Sequence, residues 1–174
     1  RDSSGNIGTG VSSVTVLDTL APVVWTRDLV VYLDTLGSVS VTAAQIDSLS
    51  LDNCGIDSLW LDVASFACGD TGVNTVTLFA RDSSGNIGAG VSSVTVLDTL
   101  APVVWVRDLV VYLDAAGAAS VSAAEADSAS SDNCGIDSLW LDVTDFSCAD
   151  IGVHTLTLSA RDSSDNIGAG TLSV

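Results

Sequence analysis

The chain has 174 residues, and its 22 acidic residues against five arginines and no lysine give a net charge of −17. This charge excludes nucleic acid as a partner, because nucleic-acid recognition needs a basic surface, and it also disfavours anionic membranes. Hydrophobic residues make up 47% and the mean hydropathy is +0.48, so the chain is too apolar for a disordered acidic tail and we expect it to fold.

No apolar run reaches the roughly 18 residues that cross a bilayer, so we expect no membrane insertion in this segment. We also expect any signal peptide or membrane anchor to lie outside it.

The sequence repeats with a fixed period, which is the separation of Arg1 from Arg81. Arg-Asp-Ser-Ser-Gly-Asn-Ile-Gly begins at both of these positions, and it returns at residue 161 with Asp165 in place of the glycine. Longer identical stretches keep the same register, at 17–25 and 97–105 and at 52–63 and 132–143. A fixed period is typical of a tandem array, so we expect this chain to be a segment of a longer repetitive protein.

Strand patterns fill most of each repeat. In chain order, the apolar run at 29–33 and the alternating runs at 39–42, 75–78 and 93–96 predict strands with one face in a core. Residues 81–86 supply the turn between the last two, and residues 43–46 predict one helical turn at most. About seven short strands per repeat predict an all-β fold of tandem immunoglobulin-like antiparallel β-sandwich modules.

The prolines mark the module boundaries, because proline cannot donate to a central strand ladder. Pro22 and Pro102 each follow a strand that ends in Val-Leu-Asp. We therefore assign residues 1–18 to the terminal hairpin and strand of a preceding repeat, residues 19–98 to one repeat, and residues 99–174 to a nearly complete second repeat.

Four cysteines, two per repeat, predict disulfides: Cys54, Cys68, Cys134 and Cys148. Two cysteines per repeat with no histidine nearby are too few for a metal site, so we predict one bond within each repeat. Persistent disulfides would place the chain in an oxidising compartment, on a cell-surface appendage or secreted. The alternative is a cytosolic protein with buried free thiols.

Acidic residues recur where the loops at one end of an immunoglobulin-like module would meet. The predicted clusters are Asp18, Asp52 and Asp82 with Asn53 and Asn86, and Asp98, Asp132 and Asp162 with Asn133 and Asn166. Oxygen ligands from three loops suit Ca²⁺, the one cofactor that we predict. The alternative is that these side chains only cap turns.

Tryptophan also recurs with the period, at Trp25, Trp60, Trp105 and Trp140. In the strand at 56–63, Leu59 and Leu61 point away from Trp60, so both faces cannot lie in one core. Exposed aromatic side chains that recur in every repeat predict a stripe for lateral contact with other copies of the same filament. The alternative is that they cover a sheet edge within one module.

Catalysis lacks candidate residues. The only histidine, His154, is replaced by Asn74 in the other copy, and lysine is absent. No nucleophile–base pair can be assembled, so we predict that the chain is not an enzyme.

Several motifs together resemble hyalin-type (HYR) and related immunoglobulin-like repeats of bacterial giant surface adhesins and extracellular filaments. They are Asp-Asn-Cys-Gly, Phe-x-Cys, Ala-Arg-Asp-Ser-Ser-Gly-Asn and Val-x-Val-x-Asp-Thr-x-Ala-Pro. The resemblance implies an immunoglobulin-like sandwich, an extracellular location and an adhesive or fibre role. With the tryptophan stripe, it predicts a structural shaft segment whose modules are linked end to end and bundled laterally. The alternative is a binding module that recognises a glycan or protein on another cell. Cys68 and Cys148 lie mid-repeat, unlike the second cysteine of that family, so no disulfide pairing is carried over.

Aspartate followed by Ser or Thr and an apolar residue resembles the O-glycosylation motif of the same bacterial group. The candidates are Thr19, Thr35, Ser48, Ser58, Thr99, Ser128 and Ser138. The alternative is coincidence, because Asp and Ser are abundant.

Overall fold

A computed structural model describes all 174 residues. The first repeat forms β1 (Leu29–Tyr32), β2 (Ser38–Ser40), α1 (Ala43–Ile46), β3 (Ile56–Leu61), β4 (Ser65–Ala67), β5 (Gly72–Asp82) and β6 (Ile87–Leu97). The second forms β7 (Ala118–Ser120), α2 (Ala123–Ala126), β8 (Ile136–Leu141), β9 (Asp145–Ser147), β10 (Thr155–Asp162) and β11 (Ile167–Ser173). A single 3₁₀ turn follows β4, at Cys68–Asp70, and another follows β9, at Cys148–Asp150. The chain is therefore β-rich, as the sequence predicted.

The strands form one larger and one smaller sheet in each repeat. The larger sheet has the order β1-β6-β5-β3 in the first repeat and β11-β10-β8 in the second. The smaller sheets pair β2 with β4 and β7 with β9. β5 and β6 form the predicted antiparallel hairpin, whereas β1 runs parallel to β6. Neither four-residue helix is long and apolar enough to cross a membrane.

Each repeat has its own hydrophobic cluster, because alternate residues of its strands face inward. Val76 and Leu78 of β5 and Val94 and Val96 of β6 are fully buried in the first cluster, together with Ile46 of α1. The second cluster has its own members, among them Ala126, Leu156, Leu158 and Leu172. The alternation in the sequence thus corresponds to burial in both copies.

Two glycines let the linker pass close over the larger sheet. A Cβ on Gly88 would collide with the carbonyl oxygen of Pro22, and one on Gly90 would lie 2.9 Å from the side chain of Val24. The same relation holds between Gly168 and Pro102. The recurring Ile-Gly-Ala-Gly motif therefore fixes how the linker enters each repeat.

Residues 1–18 form less structure than predicted. Asp2 caps a turn by accepting the N–H groups of Ser4 and Asn6, but no strand follows. The register of β5 with β6 places the partners of residues 8–16 before residue 1, so this segment has no ladder to join. For the same reason residues 109–112, which correspond to β1, form no strand, since all but the first of their partners would follow Val174.

Candidate functional site

The cysteines bond one repeat to the other. Cys68 is bonded to Cys134, with an S–S distance of 2.09 Å and Cα atoms 5.4 Å apart. Cys54 and Cys148 are exposed free thiols. The prediction of one disulfide inside each repeat is therefore wrong. A disulfide is typical of an oxidising environment of the extracellular type.

The pairing follows from where the two cysteines of a repeat lie. Cys54 lies in the loop that contacts Asp82, the last residue of β5, while Cys68 precedes Gly72, the first residue of β5. A strand of 11 residues spans roughly 36 Å, so these cysteines lie at opposite ends of the repeat. They cannot meet each other, and Cys68 instead meets Cys134 of the second repeat.

The loop between β1 and β2 forms the first repeat's side of this junction. Gly37 has a φ of 70°, and a Cβ there would lie 2.5 Å from Cys68 Sγ and 2.7 Å from the carbonyl oxygen of Asn133. The Asn133 amide also donates to the carbonyl oxygen of Asp34 at 3.2 Å. A left-handed glycine with no side chain is therefore required for the two repeats to approach this closely.

Next to the disulfide, three aspartates from separate segments converge. Asp98 comes from the linker, Asp132 from the loop before β8 and Asp162 from the end of β10, and one carboxylate oxygen of each lies within 4.8 Å of the others. Asp98 is 7% exposed and Asp162 1% exposed. None of the three is in an ion pair, so three negative charges lie together without a basic side chain.

Three buried oxygen atoms of this cluster have no hydrogen-bond donor: Asp98 Oδ2, Asp132 Oδ1 and Asn133 Oδ1. An unsatisfied buried polar atom costs about 1–3 kcal/mol, and a charged one costs more. A cation bound among the three aspartates would give the free oxygens of Asp98 and Asp132 a partner, and hard carboxylate oxygens are ligands that Ca²⁺ prefers. The residues present therefore fit a calcium ion.

The first junction repeats this arrangement with Asp18, Asp52 and Asp82. Only Asp18 Oδ2 is buried without a partner there. Burial raises the pKa of Asp82, but hydrogen bonds from Asn86 and neighbouring backbone N–H groups outweigh it, so the net pKa is below its ordinary value. A hydrogen bond to Asp18 raises the pKa of the Cys54 thiol, and burial and the nearby carboxylates raise it further.

The predicted asparagines position the aspartates more than they offer ligands. Asn86 donates its amide to Asp82 Oδ2 at 2.7 Å and to the carbonyl oxygen of Asp18 at 3.3 Å, and Asn166 makes the equivalent contacts at the second junction. Asn53 donates to Asp18 Oδ1 at 3.2 Å. Of the four asparagines, only Asn133 has a free buried carbonyl oxygen.

The tryptophans predicted for lateral contact lie at the surface. Trp25 and Trp105 are exposed by 57% and 59%, and Trp60 and Trp140 by 39% and 41%. Trp60 stacks on Phe79 with ring centroids 5.4 Å apart, whereas Trp140 faces Ser159. Part of the Trp60 surface is thus covered within its own sheet, and lateral contact stays a prediction.

The predicted glycosylation residues are also accessible in most cases. Ser58 and Ser138 are half-buried within β3 and β8. Ser48 and Ser128, which follow the short helices, are exposed. The threonines Thr19, Thr35 and Thr99 are exposed. Exposure permits modification but does not select for it, so this stays a prediction.

His154 has a structural contact. Its Nε2 lies 2.7 Å from the carbonyl oxygen of Asp150, and Asn74 donates to the carbonyl oxygen of Asp70 at the same distance. The two residue types therefore make equivalent contacts with the turn that holds the second cysteine of each repeat.

Sequence reasoning missed the junction residues Asp34, Gly37 and the carbonyl group of Asn133. A signal was present, because Asp34-Thr-Leu-Gly37 recurs as Asp114-Ala-Ala-Gly117, but it predicts a turn and not a contact between repeats.

Comparisons with known proteins give no family. No protein-family model and no curated protein matches the chain. A solved structure, "Endo-fucoidan hydrolase MfFcnA9 from glycoside hydrolase family 107", matches 87% of this chain with 15% identity and a TM-score of 0.28. The chain corresponds to 33% of the length of that protein. Because this match is with an enzyme, the prediction that the chain is not an enzyme is contradicted and no longer holds. At this TM-score the likeness carries no argument about what the chain does.

Proposed function

We propose that the chain is a shaft segment of a repetitive extracellular adhesin or surface filament, built of immunoglobulin-like β-sandwich modules joined end to end. Its partners are neighbouring repeats and other copies of the same filament. The single observation that carries the proposal is the Cys68–Cys134 bond, which joins the first repeat to the second.

Two covalent connections at one junction restrict bending. The peptide linker passes through Asp98 to Pro102, and the disulfide lies beside it, next to Asp34 and Asn133. One connection alone acts as a pivot, whereas two separated connections leave rotation only about the line that joins them. A stiff junction is what a shaft needs and what a flexibly tethered binding module does not need.

We further propose that Ca²⁺ binds at each junction. The three aspartates belong to the linker, a loop and a hairpin, so an ion held by Asp98, Asp132 and Asp162 would tie the linker to the repeat that follows it. The free oxygen of Asn133 would add a ligand from the residue next to the disulfide. An affinity on the order of 10⁻⁴–10⁻³ M is typical of extracellular modules.

The filament role is tested by electron microscopy of the native protein that contains this sequence. We expect straight unbranched fibres whose persistence length falls when a reductant is added and falls further with a calcium chelator. Compact particles with no axial periodicity would contradict the proposal. Binding of the isolated chain to a cell-surface glycan or protein, with no fibre formed, would favour the alternative of a binding module.

The calcium site is tested by calorimetric titration of Ca²⁺ into the whole chain. Asp98→Asn combined with Asp132→Asn should remove one binding event and leave the one at the first junction. Asp165→Gly is the matched control, because it removes an exposed charge outside the cluster and restores the residue of the first copy. Equal binding by both variants, or no binding by the unaltered chain, would refute the site.

A further inference from the structure

The exposed cysteines Cys54 and Cys148 occupy the same phases of the repeat as the bonded pair. Cys54 corresponds to Cys134, and Cys148 corresponds to Cys68, each displaced by one period. The bonded pair therefore displays, within the same molecule, what each free cysteine does when an adjoining repeat is next to it.

The residues around each free cysteine have the same arrangement as the residues around the corresponding bonded cysteine. Cys148 lies against Gly117, which has a φ of 77°, and a Cβ there would lie 2.7 Å from Cys148 Sγ. Cys148 Sγ lies 3.8 Å from the carbonyl oxygen of Gly117, compared with 3.6 Å between Cys68 and Gly37.

The other half of the bond is equally preformed. The Cys54 N–H donates to Asp52 Oδ2 at 2.8 Å, and Cys134 makes the same bond to Asp132 at the same distance. Asn53 approaches Cys54 Sγ at 3.4 Å, and Asn133 approaches Cys134 at 3.5 Å. Both halves therefore hold the same geometry with or without a bonded partner.

We propose that Cys54 and Cys148 each form a disulfide with an adjoining copy of the repeat, so that every junction of the array is covalently stapled. Cys148 pairs with the next copy's counterpart of Cys134, and Cys54 pairs with the preceding copy's counterpart of Cys68. In each step two thiols transfer two electrons and two protons to a disulfide oxidant, which leaves as two thiols. This inference concerns the junction chemistry and stands independently of an adhesive role.

Stapling every junction changes the path of a pulling force. Tension enters a repeat at its first cysteine and leaves at its second, as from Cys54 to Cys68, while β5, β6 and the linker are bypassed. The 14 residues from Cys54 to Cys68 then span at most about 50 Å when fully unravelled, compared with about 280 Å for a whole repeat that is free to extend. The array therefore resists extension even after its repeats unfold.

The test adds one repeat to the whole chain, by placing a second copy of residues 95–174 after Val174. Trypsin cleaves after arginine, so residues 28–81 and 108–161 form separate peptides, each with two cysteines. After refolding with oxidised glutathione, thiol capping and digestion without reduction, we expect peptide 108–161 to be linked both to peptide 28–81 and to the added peptide. Alkylation of Cys148 should fall from complete in the original chain to background in the extended chain.

A Cys148→Ser variant of the extended chain provides the control for folding. It should keep the link between peptides 28–81 and 108–161 and free the added copy's counterpart of Cys134. The proposal is overturned if Cys148 remains alkylated in the extended chain while the Cys68–Cys134 link is present. It is also overturned if Cys148 bonds to Cys134 of its own repeat.

Discussion

Removing the inter-repeat disulfide gives the most discriminating test of the structure. The perturbation is the pair Cys68→Ser and Cys134→Ser, which removes the bond and leaves the other two cysteines in place. The matched control is Cys54→Ser with Cys148→Ser, which makes the same chemical change at two exposed free thiols.

The magnitude follows from the sequence separation of 66 residues between the bonded cysteines. Closing a loop of that length lowers the entropy of the unfolded chain, which the chain-entropy relation converts to about 4 kcal/mol at 25 °C. A bond within one repeat would close a loop of about 15 residues and contribute roughly 3 kcal/mol. The two pairings therefore differ little in the stability that they contribute, and identifying the bonded cysteines distinguishes them better than the size of the stability change.

The assay is urea unfolding of the oxidised proteins, followed by tryptophan fluorescence, with a non-reduced tryptic map of each. We expect the free energy of unfolding to fall by about 4 kcal/mol in Cys68→Ser/Cys134→Ser and to change little in the control. In the unaltered chain the map should contain peptides 28–81 and 108–161 as one linked species. Equal stability of both double variants, or two unlinked peptides, would refute the reasoning.

Three further predictions concern packing, acid stability and the aromatic surface. Gly88→Ala should lower the free energy of unfolding in urea by about 1–3 kcal/mol, because its Cβ meets the linker carbonyl, while Gly69→Ala, which meets nothing within 4 Å, should not. A backbone N–H from Thr77 lowers the pKa of Asp62 in the folded state, so the stability from this carboxylate is complete above about pH 4 and is lost as the pH falls further. Asp62→Asn should therefore flatten the acid limb of the stability curve, and an unchanged slope would contradict this. Trp60→Ser should cost about 0.5–1.5 kcal/mol more than Trp140→Ser in the same assay, because only Trp60 stacks on another ring. The double variant Trp60→Ser/Trp140→Ser should loosen lateral bundles in electron micrographs without unfolding the repeats. Bundles that persist unchanged would show that the tryptophan stripe is not the contact between filaments.

The sequence by itself determined the period, the β-rich class and the aspartates that converge at each junction. Alternation of apolar and polar residues is a local property, so it predicted β5 and β6 and the inward side chains such as Val76 and Leu78. The aspartate clusters were also predictable, because antiparallel strands of known order return their loops to the same end.

Only the tertiary structure decided which cysteines pair. Two pairings are compatible with the repeating sequence: Cys54 with Cys68 inside one repeat, or Cys68 with Cys134 across two repeats. The period by itself favours neither pairing. The length of β5 separates Cys54 from Cys68, and the left-handed turn at Gly37 lets the next repeat approach. The bond joins two repeats because the extended strand β5 holds the two cysteines of one repeat apart. Their separation in space cannot be read from their separation in the sequence.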